Sequence, residues 1–167
     1  MPEKDDIYSS KIKKTGIFNF SDYYNFNHNW LVEELKYVDF QEDKYTEKLV
    51  GDAKNIEIEW TCKRKMTDYF QFQIKVKYRI LGLTDIEVTK NGVKTKTNKG
   101  SVEVIVTGTL IKDYEGKFEQ NGVRKFLRSI YEKWVIPSRV TEYEDKLAGH
   151  CEEFLNQGKA YLDLEVK

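Results

Sequence analysis

The sequence predicts an α+β fold in which an antiparallel sheet of about five or six strands packs against helices. Residues 56–66 and 70–80 alternate apolar and polar side chains with a period of two. That period, in segments rich in β-branched and aromatic residues, is typical of half-buried antiparallel strands. After residue 120 the apolar positions recur at helical spacing instead, which predicts helices that cover one face of the sheet.

The N-terminal third of the chain predicts one helix between weaker strand signals. Residues 1–10 are polar, so we expect a flexible end, and residues 11–20 indicate a short strand. Ser21 suits the N-cap of a helix over residues 22–36, because aromatic and leucine side chains recur there at helical spacing. Residues 37–50 have a mixed pattern with strand character on both sides of a turn.

Glycine positions predict how the central strands bend and turn. Gly82 and Gly108 interrupt two strand patterns and indicate β-bulges. Asn91 and Gly92 form the dipeptide that favours a type I′ hairpin turn, since both residues tolerate positive φ. The arms of this hairpin contain few apolar residues, so we expect the hairpin to project into solvent. Residues 101–113 read as a further strand.

Helices are predicted to close the chain within one domain. Residues 119–162 form a C-terminal helical segment, interrupted at Pro137 because proline lacks the backbone N–H of a helix interior. No internal repeat or composition shift divides residues 1–167, so we expect a single domain. The order of elements resembles that of helix-grip folds, which often hold a hydrophobic ligand between a curved sheet and a helix.

Composition and charge exclude several classes of protein. The 167 residues contain 28 basic and 28 acidic side chains, so the formal net charge is zero. Non-specific nucleic-acid binding usually requires a basic excess, which disfavours nucleic acid as a partner. The sequence has no run of 18 apolar residues and a polar N-terminus, so we expect no membrane span, no signal peptide and a cytoplasmic protein.

Catalytic and cofactor motifs are missing from the sequence. It contains no Gly-rich phosphate loop and no dinucleotide-binding fingerprint. Its two cysteines, Cys62 and Cys151, and two histidines, His28 and His150, lack the paired short spacing of zinc ligands. Neighbouring side chains on a helix point about 100° apart, so His150 is badly placed to activate Cys151. We therefore expect no metal, no cofactor and a non-enzymatic protein.

Basic residues concentrate in the middle of the chain. Between residues 62 and 99 ten side chains are positive and three are negative, whereas residues 140–167 have an acidic excess. The simplest interpretation is that these cations lie on a solvent-exposed face, where the nearby carboxylates of Glu57 and Glu59 balance their charge. The alternatives are an anionic partner, and self-association of a basic hairpin with an acidic helix. The candidate interaction surface comprises Lys63, Lys65, Lys75, Lys77, Arg79, Asn91, Gly92, Lys94 and Lys96.

Aromatic side chains on the predicted inward faces indicate either a packed core or a lined cavity. The candidate cavity lining comprises Trp60, Phe72, Tyr78, Trp134, Tyr143 and Phe154. Three hypotheses follow. The first is a non-enzymatic interaction or assembly protein that binds itself or another protein. The second is a protein that binds a hydrophobic small molecule. The third is an anion- or nucleic-acid-binding module, or an enzyme whose site the sequence does not reveal.

Overall fold

A five-stranded antiparallel sheet, with an N-terminal helix and a long C-terminal helix packed on one side, forms the body of the protein. The computed structural model describes residues 3–116, 122–130, 133 and 137–166. The strands lie side by side in the order β1-β5-β4-β3-β2. The α+β fold predicted from the alternating patterns is therefore confirmed. The strands are β1 (Glu3–Phe18), β2 (Asp39–Val50), β3 (Ala53–Lys65), β4 (Phe70–Lys90) and β5 (Val93–Lys112); the helices are α1 (Phe20–Asn29), α2 (Gly122–Ile130) and α3 (Pro137–Val166).

The hydrophobic core lies between the sheet and α1 and α3. Alternate residues of β3 and of much of β4 and β5 are buried, as the period-two pattern predicts, but Phe70–Ile74 and Gly108–Ile111 are buried at every position. Helix α3 packs mainly on β1 and β5. A long helix across one face leaves the other face to polar side chains, and this face is called the outer face below. The residues of α3 that enter the core are Leu147, Cys151, Phe154, Leu155 and Leu162.

The first strand is much longer than the sequence indicates. Residues 3–10, predicted to be flexible, continue without a break into the short strand predicted within 11–20, and together they form β1. Its Cα partners run from Glu3 opposite Lys112 to Phe18 opposite Asn98. The prediction of a flexible end is wrong for residues 3–10 because β5 offers a free edge whose backbone groups β1 pairs, and local polarity does not reveal such a partner.

The first helix begins and ends differently from the prediction. Asn19, rather than Ser21, is its N-cap, and the Asn19 side chain accepts a hydrogen bond from the backbone N–H of Asp22 at 3.0 Å. The α-helix ends at Asn29 and a π-helical turn, Trp30–Glu34, follows it. Lys36, at a φ of 63°, then turns the chain towards β2.

The two predicted bulges have different outcomes. At Gly82 the pairing of β4 with β5 shifts between Leu81 and Thr84, and Gly82 has a φ of 64°, so this bulge is confirmed. Gly108 pairs in regular register with Ile74 of β4, but the register of β1 against β5 shifts between Asp6 and Tyr8, directly opposite Thr109 and Gly108, so the irregularity there is in β1 and not in β5. Gly108 instead allows α3 to approach the sheet, since an added Cβ would lie 2.8 Å from Cys151 Sγ.

Candidate functional site

The predicted basic residues of β3 and β4 share the outer face of the sheet. Lys75 pairs with Thr61, Lys77 with Glu59 and Arg79 with Glu57, while the residues between them face the core. Lys63 and Lys65 continue the same face along β3. The structure therefore brings together the five strand residues of the candidate interaction surface: Lys63, Lys65, Lys75, Lys77 and Arg79.

Carboxylates are interspersed among these cations. Lys77 Nζ lies 3.8 Å from a Glu59 carboxylate oxygen, and Lys44 of β2 lies 2.6 Å from Glu57. The hydrogen bond with Lys44 lowers the pKa of Glu57, and the same contact raises the pKa of Lys44. Ion pairs this exposed stabilise the fold little. The part of the outer face around them is open to solvent, whereas Gln71, Gln73, Thr109 and Ile111, further along the same face, are buried.

Several cations on the outer face were missed by sequence reasoning, among them Lys44 of β2 and two residues of β1. Lys11 and Lys13 of β1 pair with Ile105 and Glu103 of β5, in the same rows as Lys77 and Arg79. Their alternation with Ile12 was visible in the sequence, but only the position of β1 beside β5 joins them to the other cations. The basic face is thus Lys11, Lys13, Lys44, Lys63, Lys65, Lys75, Lys77 and Arg79, with Asp39, Asp43, Glu57, Glu59 and Glu103 among them.

Charge of the opposite sign lies on the other side of the sheet. From Pro137 to Leu164, α3 contains six acidic and three basic residues. Four of those carboxylates are exposed, while Asp163 meets Lys14 of β1 at 2.5 Å. A protein of zero net charge therefore has a basic face and an acidic helix on opposite sides of one sheet. Such a separation favours association of unlike faces.

The Asn91–Gly92 turn forms as predicted and ends a hairpin that extends beyond its neighbours. Asn91 has a φ of 52° and Gly92 a φ of 79°, as a type I′ turn requires. The last pair between β3 and β4 is Lys54 with Leu83, and the last between β1 and β5 is Phe18 with Asn98. Residues 85–97, called the ribbon below, therefore form two strands whose outer edges pair with no described residue.

An open polar groove lies at the base of the ribbon. It has a volume of about 490 Å³. The side chain of Asn98 joins two parts of the groove wall. Its oxygen accepts a hydrogen bond from the backbone N–H of Phe20 at 3.0 Å, and its amide nitrogen donates one to Asp85 at 2.7 Å. The walls mix both charges, so the groove has no clear preference for an ion. Its lining is Asn19, Ser21, Asp85, Ile86, Glu87, Lys96, Thr97 and Asn98.

The residues predicted to line a cavity are mostly in the core and contact one another. Trp60, Phe72, Tyr78 and Phe154 are at most 2% exposed. The Trp60 and Tyr78 rings are 4.8 Å apart between centroids. Tyr143, which is partly buried, meets Phe72 at 6.0 Å. Trp134 lies outside the described residues. These ring contacts favour the packed-core interpretation.

A polar defect nevertheless lies within this core. The carboxamide of Asn27 faces the hydroxyls of Tyr23 and Tyr78, but no hydrogen bond of good geometry satisfies Asn27 or the Tyr78 hydroxyl. Asn27 is 1% exposed, and Gly158 of α3 passes directly over it. Buried polar groups without partners are costly, so they indicate a place where water or a ligand atom would be stabilised.

His150 and Cys151 do not face each other, and His28 lies elsewhere, against the rings of Phe40 and Trp60. His150 Nδ1 lies 2.8 Å from the Tyr37 hydroxyl, and burial, followed by the charge of Arg64, lowers the pKa of His150 to about 4. Cys151 points to Gly108 instead, and burial raises the pKa of its thiol to about 12. Burial also raises the pKa of Cys62. Protonated buried thiols are poor nucleophiles and poor metal ligands.

Wider comparisons add no assignment. No model of a known protein family matches the chain, and no curated protein matches it either. Among the described residues, no three His, Cys, Asp or Glu side chains are grouped so as to hold a metal ion. The described helices include none with the length and apolar character needed to cross a membrane.

Proposed function

We propose that this protein is a non-enzymatic interaction protein that associates with a second copy of itself, or with another protein, through its ribbon. The observation that carries the proposal is the extension of residues 85–97 beyond both neighbouring strands. A two-stranded ribbon with unpaired edges offers backbone N–H and C=O groups to an added strand. Lys90, Lys94 and Lys96 give the ribbon a basic excess over Asp85 and Glu87.

The charge of the rest of the molecule supports an acidic contact surface on the partner. The basic face continues the positive charge of the ribbon along the sheet, whereas α3 is acidic. A second copy would offer α3 to the ribbon, so a head-to-tail contact between unlike surfaces is the form of self-association that the charges favour.

The test is a shortened ribbon that retains its turn. Residues 87–96 are replaced by Asn-Gly, so that Ile86 and Thr97 flank the new turn. Lys90 and Val93 are the pair beside the natural turn, and Ile86 and Thr97 are a pair four residues further back on each strand. Because hydrogen-bonded and non-hydrogen-bonded pairs alternate along an antiparallel ladder, the two pairs are of the same type and can flank the same turn. Asn98 and its contacts with α1 stay intact, so the fold should survive.

Native mass spectrometry and sedimentation then compare the two proteins. We expect a defined multimer from the full chain and a smaller species from the shortened chain. Lys94→Glu should weaken the multimer, while Lys48→Glu, the same charge change on exposed β2, should not. A multimer that is unaffected by the shortened ribbon would contradict the proposal. A bare monomer would exclude the self-association form and leave a different protein as the partner.

A second candidate function, binding of a small hydrophobic molecule with a polar group, is supported by the unsatisfied Asn27 carboxamide. Such a ligand would separate α3 from the sheet near Tyr78 and bond to Asn27. The same mass spectrum tests it, since a bound ligand would add a few hundred daltons to the protein. Asn27→Leu should abolish that added mass without loss of folding.

A further inference from the structure

A basic side chain, Arg64, ends the buried row of apolar residues on the core side of β3. It pairs across the sheet with Phe72, which is fully buried. Arg64 itself is partly buried, and its Nη1 donates a hydrogen bond to the carbonyl oxygen of Leu35 at 2.9 Å. A guanidinium has five N–H groups, so most of the donors of Arg64 remain available to a ligand.

Helix α3 brings two more basic groups to the same end of the core. Lys146 and His150 are four residues apart and therefore share one side of the helix. The His150 ring lies 5.9 Å from the Phe72 ring, and its Nδ1 lies 2.8 Å from the Tyr37 hydroxyl. The contact with Tyr37 occupies Nδ1 and leaves Nε2 to bond elsewhere. Phe72 thus has Arg64 beside it in the sheet and His150 above it.

No carboxylate balances these basic groups within the part of the chain that the structure describes. Neither Arg64 nor Lys146 forms an ion pair there. Glu142 and Glu153, which are the acidic residues of α3 about one turn to either side, are exposed and bond to neither. Burial, followed by the charges of Arg64 and Lys146, lowers the pKa of His150 to about 4. The cations of the outer face, in contrast, have carboxylates among them.

We propose that Arg64, Lys146 and His150 form a binding site for a tetrahedral dianion, the phosphate group of a small soluble molecule. The guanidinium of Arg64 matches two oxygens of such a group, and the Lys146 ammonium supplies a second positive charge. Two cations balance a dianion, whereas a single carboxylate would leave one of them unbalanced. The attraction is stronger than at an open surface, because the site is partly buried and its dielectric constant is lower than that of water.

The bound dianion would also change the protonation of His150. A negative charge beside the imidazole favours the imidazolium, whose Nε2 can donate a further hydrogen bond to the ligand. By reciprocity, the dianion should bind more tightly as the pH falls and His150 becomes protonated. This site lies at the opposite end of β4 from the ribbon, so it is independent of the proposed function.

Nuclear magnetic resonance of the histidine rings tests the proposal on the full chain. The protein has two histidines, and His28 lies against Phe40 and Trp60, so it provides an internal reference. The ring signals are followed against pH in sodium sulfate, sodium phosphate or sodium acetate, with sodium chloride as the reference at equal ionic strength. Sulfate stays dianionic throughout a histidine titration. We expect sulfate and phosphate to raise the pKa of His150 by about one or more, a proton affinity at least about tenfold higher. Acetate should have a much smaller effect, and the signals of His28 should not respond.

Three variants locate the effect. Arg64→Gln retains a donor for the Leu35 carbonyl, and should weaken dianion binding at least about tenfold because it removes the charged fork. In chloride it should raise the pKa of His150, because the charge of Arg64 lowers that pKa. Lys146→Gln changes an exposed side chain, so it should fold normally and give smaller changes in the same directions. The matched control is Arg79→Gln on the outer face, which should bind as the unchanged protein does.

Four results would each overturn the proposal. They are no response of His150 to either dianion beyond that in chloride, an equal response of His28, an equal effect of acetate, and an equal loss of binding in Arg79→Gln. Far-UV circular dichroism checks the fold of each variant. If Arg64→Gln does not fold, Lys146→Gln decides, and dianion binding that is unchanged in that variant would contradict the site.

Discussion

The contact of α3 with Gly108 offers the sharpest test of how the core is packed. In the Gly108→Ala variant the new Cβ would lie 2.8 Å from Cys151 Sγ and 3.3 Å from Leu147 Cγ. Unstrained contacts of these atoms need about 3.5–4.0 Å, so the helix or the Cys151 rotamer must move by roughly 1 Å. Such overpacking of a buried site costs about 1–3 kcal/mol of unfolding free energy.

A double-mutant cycle separates this clash from other effects of the alanine. Cys151→Ala alone should cost about 1 kcal/mol, because it leaves a small void under α3. In the double variant the sulfur is gone, so the added methyl partly fills that void. We expect the double variant to be more stable than the sum of the single effects predicts, by about 1 kcal/mol or more.

Urea unfolding followed by far-UV circular dichroism measures all four proteins. The m-value should stay constant, so that the midpoint reports the unfolding free energy directly. If Gly108→Ala is as stable as the unchanged protein, or costs the same with and without the Cys151 sulfur, the close approach of α3 at Gly108 is refuted.

Three further predictions concern the groove, the glycines and pH. Asn98→Ala removes the acceptor of the Phe20 N–H and the donor to Asp85, so it should lower the unfolding free energy in urea by about 1–2 kcal/mol. Gly149→Ala, in open space on α3, should raise the free energy of unfolding by about 0.5–1 kcal/mol and therefore raise the thermal midpoint. Gly82→Ala should lower the thermal midpoint, because the φ of Gly82 is 64°. The pKa of His150, about 4, lies below its unfolded value of 6.5, so the unfolded chain binds the proton more readily. The contribution of His150, on the order of 1–2 kcal/mol after allowance for its partial exposure, is full above pH 6.5 and is lost as the pH falls to 4. The difference in unfolding free energy between the unchanged protein and His150→Gln, measured with urea, should therefore shrink as the pH falls from 6.5 to 4. A difference that stays constant over this interval would disprove the lowered pKa of His150.

Local patterns predicted most of the sheet. The alternation in residues 56–66 and 70–80 corresponds to β3 and the first half of β4, and Asn91–Gly92 forms the expected turn. These features are local because strand periodicity and positive φ depend on residues close in sequence. The five basic residues of β3 and β4 could be placed on one face for the same reason.

Other features depend on contacts distant in sequence. Nothing local distinguishes the polar residues 3–10 from a flexible tail, because their strand forms only beside β5. The apolar positions of α2 recur as regularly as those of a buried helix, yet α2 has no buried residue, and Arg128 holds its opposite side to Glu3 and Asp113. Gly108 was predicted to interrupt its strand, but in the structure it allows α3 to approach the sheet at Cys151, which is 43 residues further along the chain.

The sequence by itself thus determined the α+β class, the faces of the central strands, the projecting hairpin and the lack of familiar catalytic motifs. Each of these follows from residue type and spacing along the chain. Only the tertiary structure decided that β1 adds Lys11 and Lys13 to the basic face, and that the acidic α3 lies across the sheet from them. It also decided that α2 presents its apolar side outward. The physical reason is that strand partners, helix contacts and ion pairs join distant residues, and which of several compatible partners is chosen depends on the packing of the whole chain.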